Sequence, residues 1–183
     1  MPRVSKNPLK RLLPRGTKAA DVLFVCVGTD RSTGDSLGPM VGSVLKRKGF
    51  NVLGTLDDPV HATNLVDKLT LIPEDVIVVG IDACLGKQSS VGKVMIEEGP
   101  LKPGAGVGKK LPYVGEYRIT GIVNIGGFME YFVLQNTRLS LIFKLRDEIV
   151  ETICSALPGR RKINVASPSD KIRVVEPKLL VLP

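Results

Sequence analysis

The chain has no tryptophan, one histidine and three cysteines in 183 residues, and aromatic residues make up only 4% of it. Each scarcity removes a class of function. With a single imidazole, His61, and no Cys/His spacing of the metal-binding kind, a structural zinc site is not expected. The cysteines, Cys26, Cys84 and Cys154, are odd in number and far apart. They read as buried, reduced thiols of a cytosolic protein and not as a disulfide framework. Phe and Tyr are not interleaved with basic residues, so the stacking platforms of a single-strand nucleic-acid binder are missing. No apolar run reaches the length of a membrane span. The basic start, MPRVSKNPLKRLLPRGTKAA, lacks the apolar stretch of about 7–15 residues that makes a secretory signal.

What is present is an ordinary globular composition, 43% apolar and 24% charged, with a net charge of +8. The charge sits at the ends. Residues 1–19 carry six Lys/Arg and no acid, and residues 158–183 carry six Lys/Arg and two acids. Between them lie 14 basic and 16 acidic residues. A basic groove for specific nucleic-acid binding is therefore not expected in the body. The organisation expected is a basic N-terminal extension (1–19), a single α/β domain (20–157) and a C-terminal tail (158–183). In that tail KIRVVEP and KLLVLP could add a peripheral strand or dock on the domain.

Hydrophobic patterning sets the fold. DVLFVCVG (21–28) and EDVIVVGIDA (74–83) are short apolar runs, as in strands buried on both faces. FNVLGTL (50–56), GKVMIEEG (92–99) and YRITGIVNIGG (117–127) read as further strands. Ser36–Lys48 and Asn64–Leu71 read as helices. Residues 128–157 form a longer helical region whose second part starts at Asn136 or Thr137. In that part Leu139, Ile142, Phe143, Ile149, Val150 and Ile153 make a core stripe. PLKPGAGVGKKLPYVG (100–115) is a long loop, and such loops are commonly functional. Strand and helix alternate, so the class is α/β with a mainly parallel sheet. With strand order 2-1-3, ligands bind beyond the carboxyl ends of strands one and three, where the winding reverses.

Both of those ends carry acids. Strand one runs into GTDRSTGDSLGP, with Asp30 and Asp35, and strand three ends at Asp82. A carboxylate at the end of a buried strand is costly unless it is paired or open to a cleft. Two neighbouring carboxyls can share a proton, and such a pair can activate a water against a carbonyl. Competing readings remain open on spacing alone. Asp35 or Ser36 could cap the following helix, Asp82 could bind backbone amides, and Asp30 with Arg31 could be a solvated pair. GAGVG (104–108) lacks the Lys-Ser/Thr ending of a phosphate loop. His61 reads as a structural hydrogen-bonding residue.

GTDRSTGDSLGP, PVHATNL, GIDACLG, KPGAGVGKKLP and NIGGFMEYFVLQNTRL closely resemble the YyaC-type sporulation proteins of endospore-forming bacteria, over roughly residues 20–155. That family is similar to the germination protease and, more distantly, to the hydrogenase maturation endopeptidases. The resemblance implies a three-layer α/β/α sandwich with a mainly parallel sheet, of the phosphorylase/hydrolase-like (HybD-like) type. It implies that Asp35, in GDSLGP, and Asp82, in IDA, are the catalytic pair of an aspartic-type endopeptidase. The Gly-rich segment 103–108 resembles part of the same protease. Asp30, Arg31 and Thr33 are then candidates for orienting substrate, with Gly104 and Gly106 shaping the opposite wall. The maturation enzymes add a histidine that holds nickel at a later position than His61, so neither a metal nor another cofactor is expected here. The implied partner is a protein or peptide substrate, and the implied setting is the cytoplasm of the sporulating cell or the spore compartment. The alternatives are a non-enzymatic peptide- or ligand-binding protein of the spore on the same fold and, behind it, a metal-assisted peptidase. The sequence does not fix the oligomeric state.

Overall fold

The computed structural model describes residues 6–104 and 111–158. Its middle layer is a five-stranded sheet built from β1 (Val22–Cys26), β2 (Asn51–Leu53), β3 (Ile77–Gly86), β4 (Val94–Glu98) and β5 (Tyr117–Ile125). The spatial order is β2-β1-β3-β5-β4. All neighbours are parallel except β4, which lies antiparallel to β5 at one edge. The 2-1-3 order, the condition for a ligand site at the ends of strands one and three, is therefore present.

Side-chain alternation divides the sheet into two faces. Val22, Phe24 and Cys26 of β1, Val79 and Ile81 of β3, and Ile119 and Val123 of β5 enter one core. Helices α1 (Pro8–Leu12), α2 (Leu37–Arg47) and α5 (Leu139–Ala156) cover that face. The other face is thinner. Leu23, Val25 and Val78 pack there under α3 (Leu65–Leu69) and under a two-residue bridge between Leu101 and Val114. The crossover through α2 and the one through α3 lie on opposite faces, as right-handed connections require when the winding reverses at β1 and β3. The result is the expected three-layer sandwich, with one outer layer much slighter than the other.

Several boundaries differ from those read in the sequence. β3 does not stop at Asp82. Pairing with β5 continues through Gly86↔Ile125, across an irregularity at Cys84/Leu85. The helical region breaks into α4 (Glu130–Gln135) and α5, because Asn136 ends the first helix and Arg138 is extended. In α5 the buried stripe is Ile142, Leu145, Ile149, Val150 and Ile153. Leu139 and Phe143 lie outside it, and the Arg146 guanidinium stacks 4.5 Å from the Phe143 ring centre.

The N-terminal segment, read from its charge as an extension, is docked over its described part. Asn7 caps α1 through Lys10 N, 3.0 Å away, and its amide donates to Thr152 O and Ser155 Oγ on α5. Leu9 and Leu13 are buried in the main core. Of the expected C-terminal tail only Pro158 falls within the described residues. Among the described residues no helix is long and apolar enough to cross a membrane.

What positions the working edge of the sheet is the seating of α2 on β1. A Cβ on Gly38 would lie 2.0 Å from Val27 O, and one on Gly42 would lie 1.9 Å from Gly54 O. Both distances are far inside van der Waals contact, so the helix rests directly on backbone. Gly38→Ala should therefore lower stability by at least about 2 kcal/mol. Val66→Ala, on an exposed position of α3, should change it by less than about 0.5 kcal/mol. Thermal unfolding of the two variants decides the point, and equal midpoints would show that α2 can move off β1 without strain.

Candidate active site

The chain leaves β1 and folds back over it. Val27 N donates to Ile81 O (2.7 Å), Gly28 N to Val60 O (2.8 Å) and Thr29 N to Asp35 O (3.1 Å). Gly28 has φ +139, and a Cβ there would lie 2.0 Å from Asp35 O. Only glycine lets the Asp35 carbonyl come down on the strand end. This fold-back sets the position of Asp35.

Asp35 sits in a 3-10 turn, Gly34–Ser36, that runs straight into α2. Ser36 is the N-cap residue by position, but its backbone is helical and its side chain makes no capping bond. Its hydroxyl instead donates to Thr33 O at 2.6 Å. The helix therefore starts through its 3-10 turn, and neither Asp35 nor Ser36 serves as a side-chain cap. Among the described residues nothing donates a hydrogen bond to the Asp35 carboxylate.

Asp82 lies on β3 opposite Thr120 of β5. It belongs to the even-numbered set that faces the thin layer. Gly80, on the same face, has no room for a side chain, because a Cβ would lie 2.6 Å from the Leu101 Cβ. Leu101 thus packs on the sheet beside Asp82 and closes one side of it. Asp82 Oδ1 accepts from Ala83 N at 2.7 Å.

The two acids and the strand ends line one cavity of about 680 Å³. Asp82 keeps a narrow opening to it, yet is enclosed closely enough that burial pushes its pKa well above the usual carboxylate range. The charge of Asp35 pushes it further, and the Ala83 amide opposes both. Asp35 is itself raised by burial. The two carboxyls interact, and Asp82 is the more strongly raised of the pair. The thiols nearby are held neutral. Burial raises Cys26, with Asp82 adding to it. Burial also raises Cys84, against the opposing hydrogen bond with Thr120.

Of the residues proposed from sequence, the cavity brings together Asp35, Asp82 and Gly104. Asp30 and Arg31 are exposed on the loop and Thr33 is half-buried, and none of the three lines the cavity. Gly106 lies outside the described residues. The lining adds Thr29, His61, Lys102, Arg118, Thr120 and Glu130. His61 arrives because Val60 bridges to Val27, which carries the loop after β2 up to the end of β1. Its backbone is fixed by Asn64, and its ring Nδ1 lies 2.9 Å from Thr63 Oγ1. The sequence holds one usable signal for it, the single apolar Val60 directly before the histidine. Among the described residues no group of three or more His, Cys, Asp or Glu side chains could hold a metal ion.

Comparison with known proteins gives three findings. The family model described as "Protein of unknown function (DUF1256)" matches residues 4–152. "Uncharacterized protein YyaC" of Bacillus subtilis (strain 168) is 56% identical over 136 residues, which are 71% of this chain and 66% of that protein. The matched stretch thus spans just under two thirds of that relative, and the YyaC-type kinship read from the motifs holds across the body of the chain. Similar solved structures include the [NiFe] hydrogenase maturation protease HybD from Thermococcus kodakarensis, at 16% identity and TM-score 0.48, covering 73% of this chain and 97% of that one. The [NiFe] hydrogenase maturation protease HycI from Thermococcus kodakarensis KOD1 is 18% identical at TM-score 0.49, covering 79% and 96%.

The raised carboxyls make stability depend on pH with a definite sign. Between about pH 4, where a free carboxyl titrates, and the higher native value, the folded state binds more protons than the unfolded one. Stability therefore falls as pH rises through that window. Asp82→Asn keeps the acceptor for Ala83 N and removes the titration. It should raise the thermal midpoint at neutral pH by on the order of 5 °C, with the gain shrinking toward pH 4. A variant that is less stable than wild type at every pH would show that Asp82 is not held protonated by burial.

Proposed function

We propose that this chain, which belongs to the DUF1256 family, is an aspartic-type endopeptidase working through Asp35 and Asp82. The observation that carries the reading is the pair itself. Two carboxyls line one cavity at the winding switch of the sheet, with burial raising both and the charge of Asp35 raising Asp82 further. In this reading Asp35, the less raised of the two, works as the carboxylate and Asp82, the more raised, as the carboxylic acid.

The chemistry follows from that division. A water between the two gives a proton to Asp35 as its oxygen bonds to the peptide carbonyl carbon. Asp82 donates its proton to the carbonyl oxygen, giving a neutral tetrahedral diol. Collapse breaks the C–N bond, the leaving nitrogen takes the proton from Asp35, and one diol hydroxyl returns a proton to Asp82. Polarisation of the carbonyl falls to Asp82 because the backbone amides at the end of β1 are already committed. Val27 N, Gly28 N and Thr29 N all donate within the protein. A cysteine nucleophile is disfavoured, because the one thiol lining the cavity among the described residues, Cys84, has its pKa raised by burial.

The substrate class, a protein or peptide, and the setting, a sporulating cell or spore, rest on the resemblance of the motifs to the YyaC-type proteins and the germination protease. The sequence motifs that carry the resemblance include both acids.

The test is incubation with spore-protein extract and with unfolded model proteins. Asp35→Asn and Asp82→Asn should each reduce cleavage by about 10²–10⁴-fold, with wild-type cleavage unchanged by a metal chelator. The rate should rise with pH as Asp35 ionises and fall again as Asp82 loses its proton. Cleavage that survives both substitutions would sink the reading and leave a binding protein on the same fold, and cleavage lost to the chelator would replace it with a metal-assisted peptidase.

A further inference from the structure

An exposed apolar cluster lies beside the acid-pair cavity and has no role in the chemistry above. Five of the twelve exposed large hydrophobic side chains among the described residues fall within 125–132, and Phe128 is 79% exposed. Gly127, at φ +119, and Met129, at φ +48, turn the chain sharply between β5 and α4. Tyr131 and Phe132 pack edge to face at 5.7 Å. Ile125, Phe128, Met129, Phe132 and Val133, with neutral polar neighbours, line a groove of about 520 Å³ that contains no charged residue. An uncharged apolar patch of this kind marks an interaction surface.

Its place in the fold says what covers it. α4 is the wall between groove and cavity, for Glu130 and Leu134 line the cavity while Phe132 and Val133 line the groove. The floor of the groove is the end of β5, the strand that pairs with β3 at Asp82. The wall is tied down from behind, since Asn124 donates to Val133 O at 3.2 Å and to Thr137 Oγ1 at 3.3 Å. A polypeptide seated at the acid pair and continuing along this edge meets the groove next.

We propose that the groove binds an aromatic or large aliphatic side chain of the polypeptide substrate, a few residues from the bond that is cut. The inference rests on the peptidase reading. A helix is about 10–12 Å across and an extended chain advances about 3.3 Å per residue. Crossing α4 therefore takes three or four residues, and that is the spacing between the apolar residue and the scissile bond.

The test uses the full chain and overlapping short peptides of unfolded β-casein. Binding is measured with the Asp82→Asn protein, which leaves the peptides intact. Peptides that bind should carry an aromatic or large aliphatic residue. Phe128→Ser with Phe132→Ser in the same background should weaken the best of them at least tenfold, with Ile125→Ser acting in the same direction. These side chains are exposed, from 45% for Ile125 to 79% for Phe128, so thermal midpoints should hold, and Ile125→Ser decides alone if the double variant does not fold. With wild type, peptides whose apolar residue stands three or four positions from the cut should show the lowest KM. Unchanged affinity in folded variants overturns the proposal. So does a wild-type dimer that the double variant converts to a monomer, since a second copy would then be the occupant. Peptides held through the groove but never cut would sink the peptidase reading and leave the groove. Cleavage with the same KM in the double variant would do the reverse.

Discussion

The seating of the Asp35 carbonyl on Gly28 is the contact on which the working edge depends. It holds because Gly28 can take φ +139 and presents no side chain to a carbonyl that comes within 2.0 Å of the Cβ position. From it follow the direction in which α2 starts, the contact of Gly38 with Val27 O, and the presence of a carboxyl beside the end of β3. Were the loop to rise higher off the strand, α2 would need a side-chain cap for its first amides and Asp35 would be free to supply it. The low path lets the helix begin through a 3-10 turn with Ser36 bonded back to Thr33, so the Asp35 carboxylate is left to the cavity. Local backbone geometry thus removes the capping role that spacing left open and leaves the Asp35 carboxyl on the cavity.

The fold was legible in the sequence because its signals are local and strong. β1 and β3 are short apolar runs, α2 and α5 carry helical stripes, and a mainly parallel sheet follows from their alternation. The candidate pair was half legible. Both acids stand near strand ends in the sequence, and the motif resemblance singled out the same two. What could not be read was where side chains meet across distant segments. Asp30, Arg31 and Thr33 are near Asp35 in sequence, yet the turn that brings Asp35 inward carries them away from the cavity. His61 and Thr120 arrive through pairings that no local pattern specifies, Val60 with Val27 and Thr120 with Asp82. The docking of the N-terminal segment was hidden for a related reason. Its six basic residues dominate the composition, while the two leucines that dock it, Leu9 and Leu13, are a weak signal by count and a decisive one by burial.

The two faces of the sheet divide the tasks of stability and access. Three helices and most of the core lie on one face. That face supplies the hydrophobic burial that holds the domain together. The other face carries a five-residue helix and the Leu101/Val114 bridge, which leave the ends of β1 and β3 open. A carboxyl in β3 pointing into the thick face would be sealed in an apolar core and could not exchange protons or admit a substrate. Pointing into the thin face, Asp82 is enclosed enough for burial to raise its pKa and still lines the cavity.

In the proposed mechanism that balance also explains why a strand residue and not a loop residue is the acid. A carboxyl on a mobile loop is hydrated, titrates near pH 4, and is ionised at neutral pH, where two such groups would offer two bases and no acid. Asp82 is paired with Thr120 of β5 one residue past the end of the β1 ladder, with Leu101 packed on the neighbouring Gly80 and its own next amide at 2.7 Å. The strand cannot swing it toward water, so repulsion from Asp35 is expressed as proton retention and not as movement. The asymmetry that the proposed chemistry needs is thereby built into the sheet, and the destabilisation it brings is carried by the deep core on the opposite face.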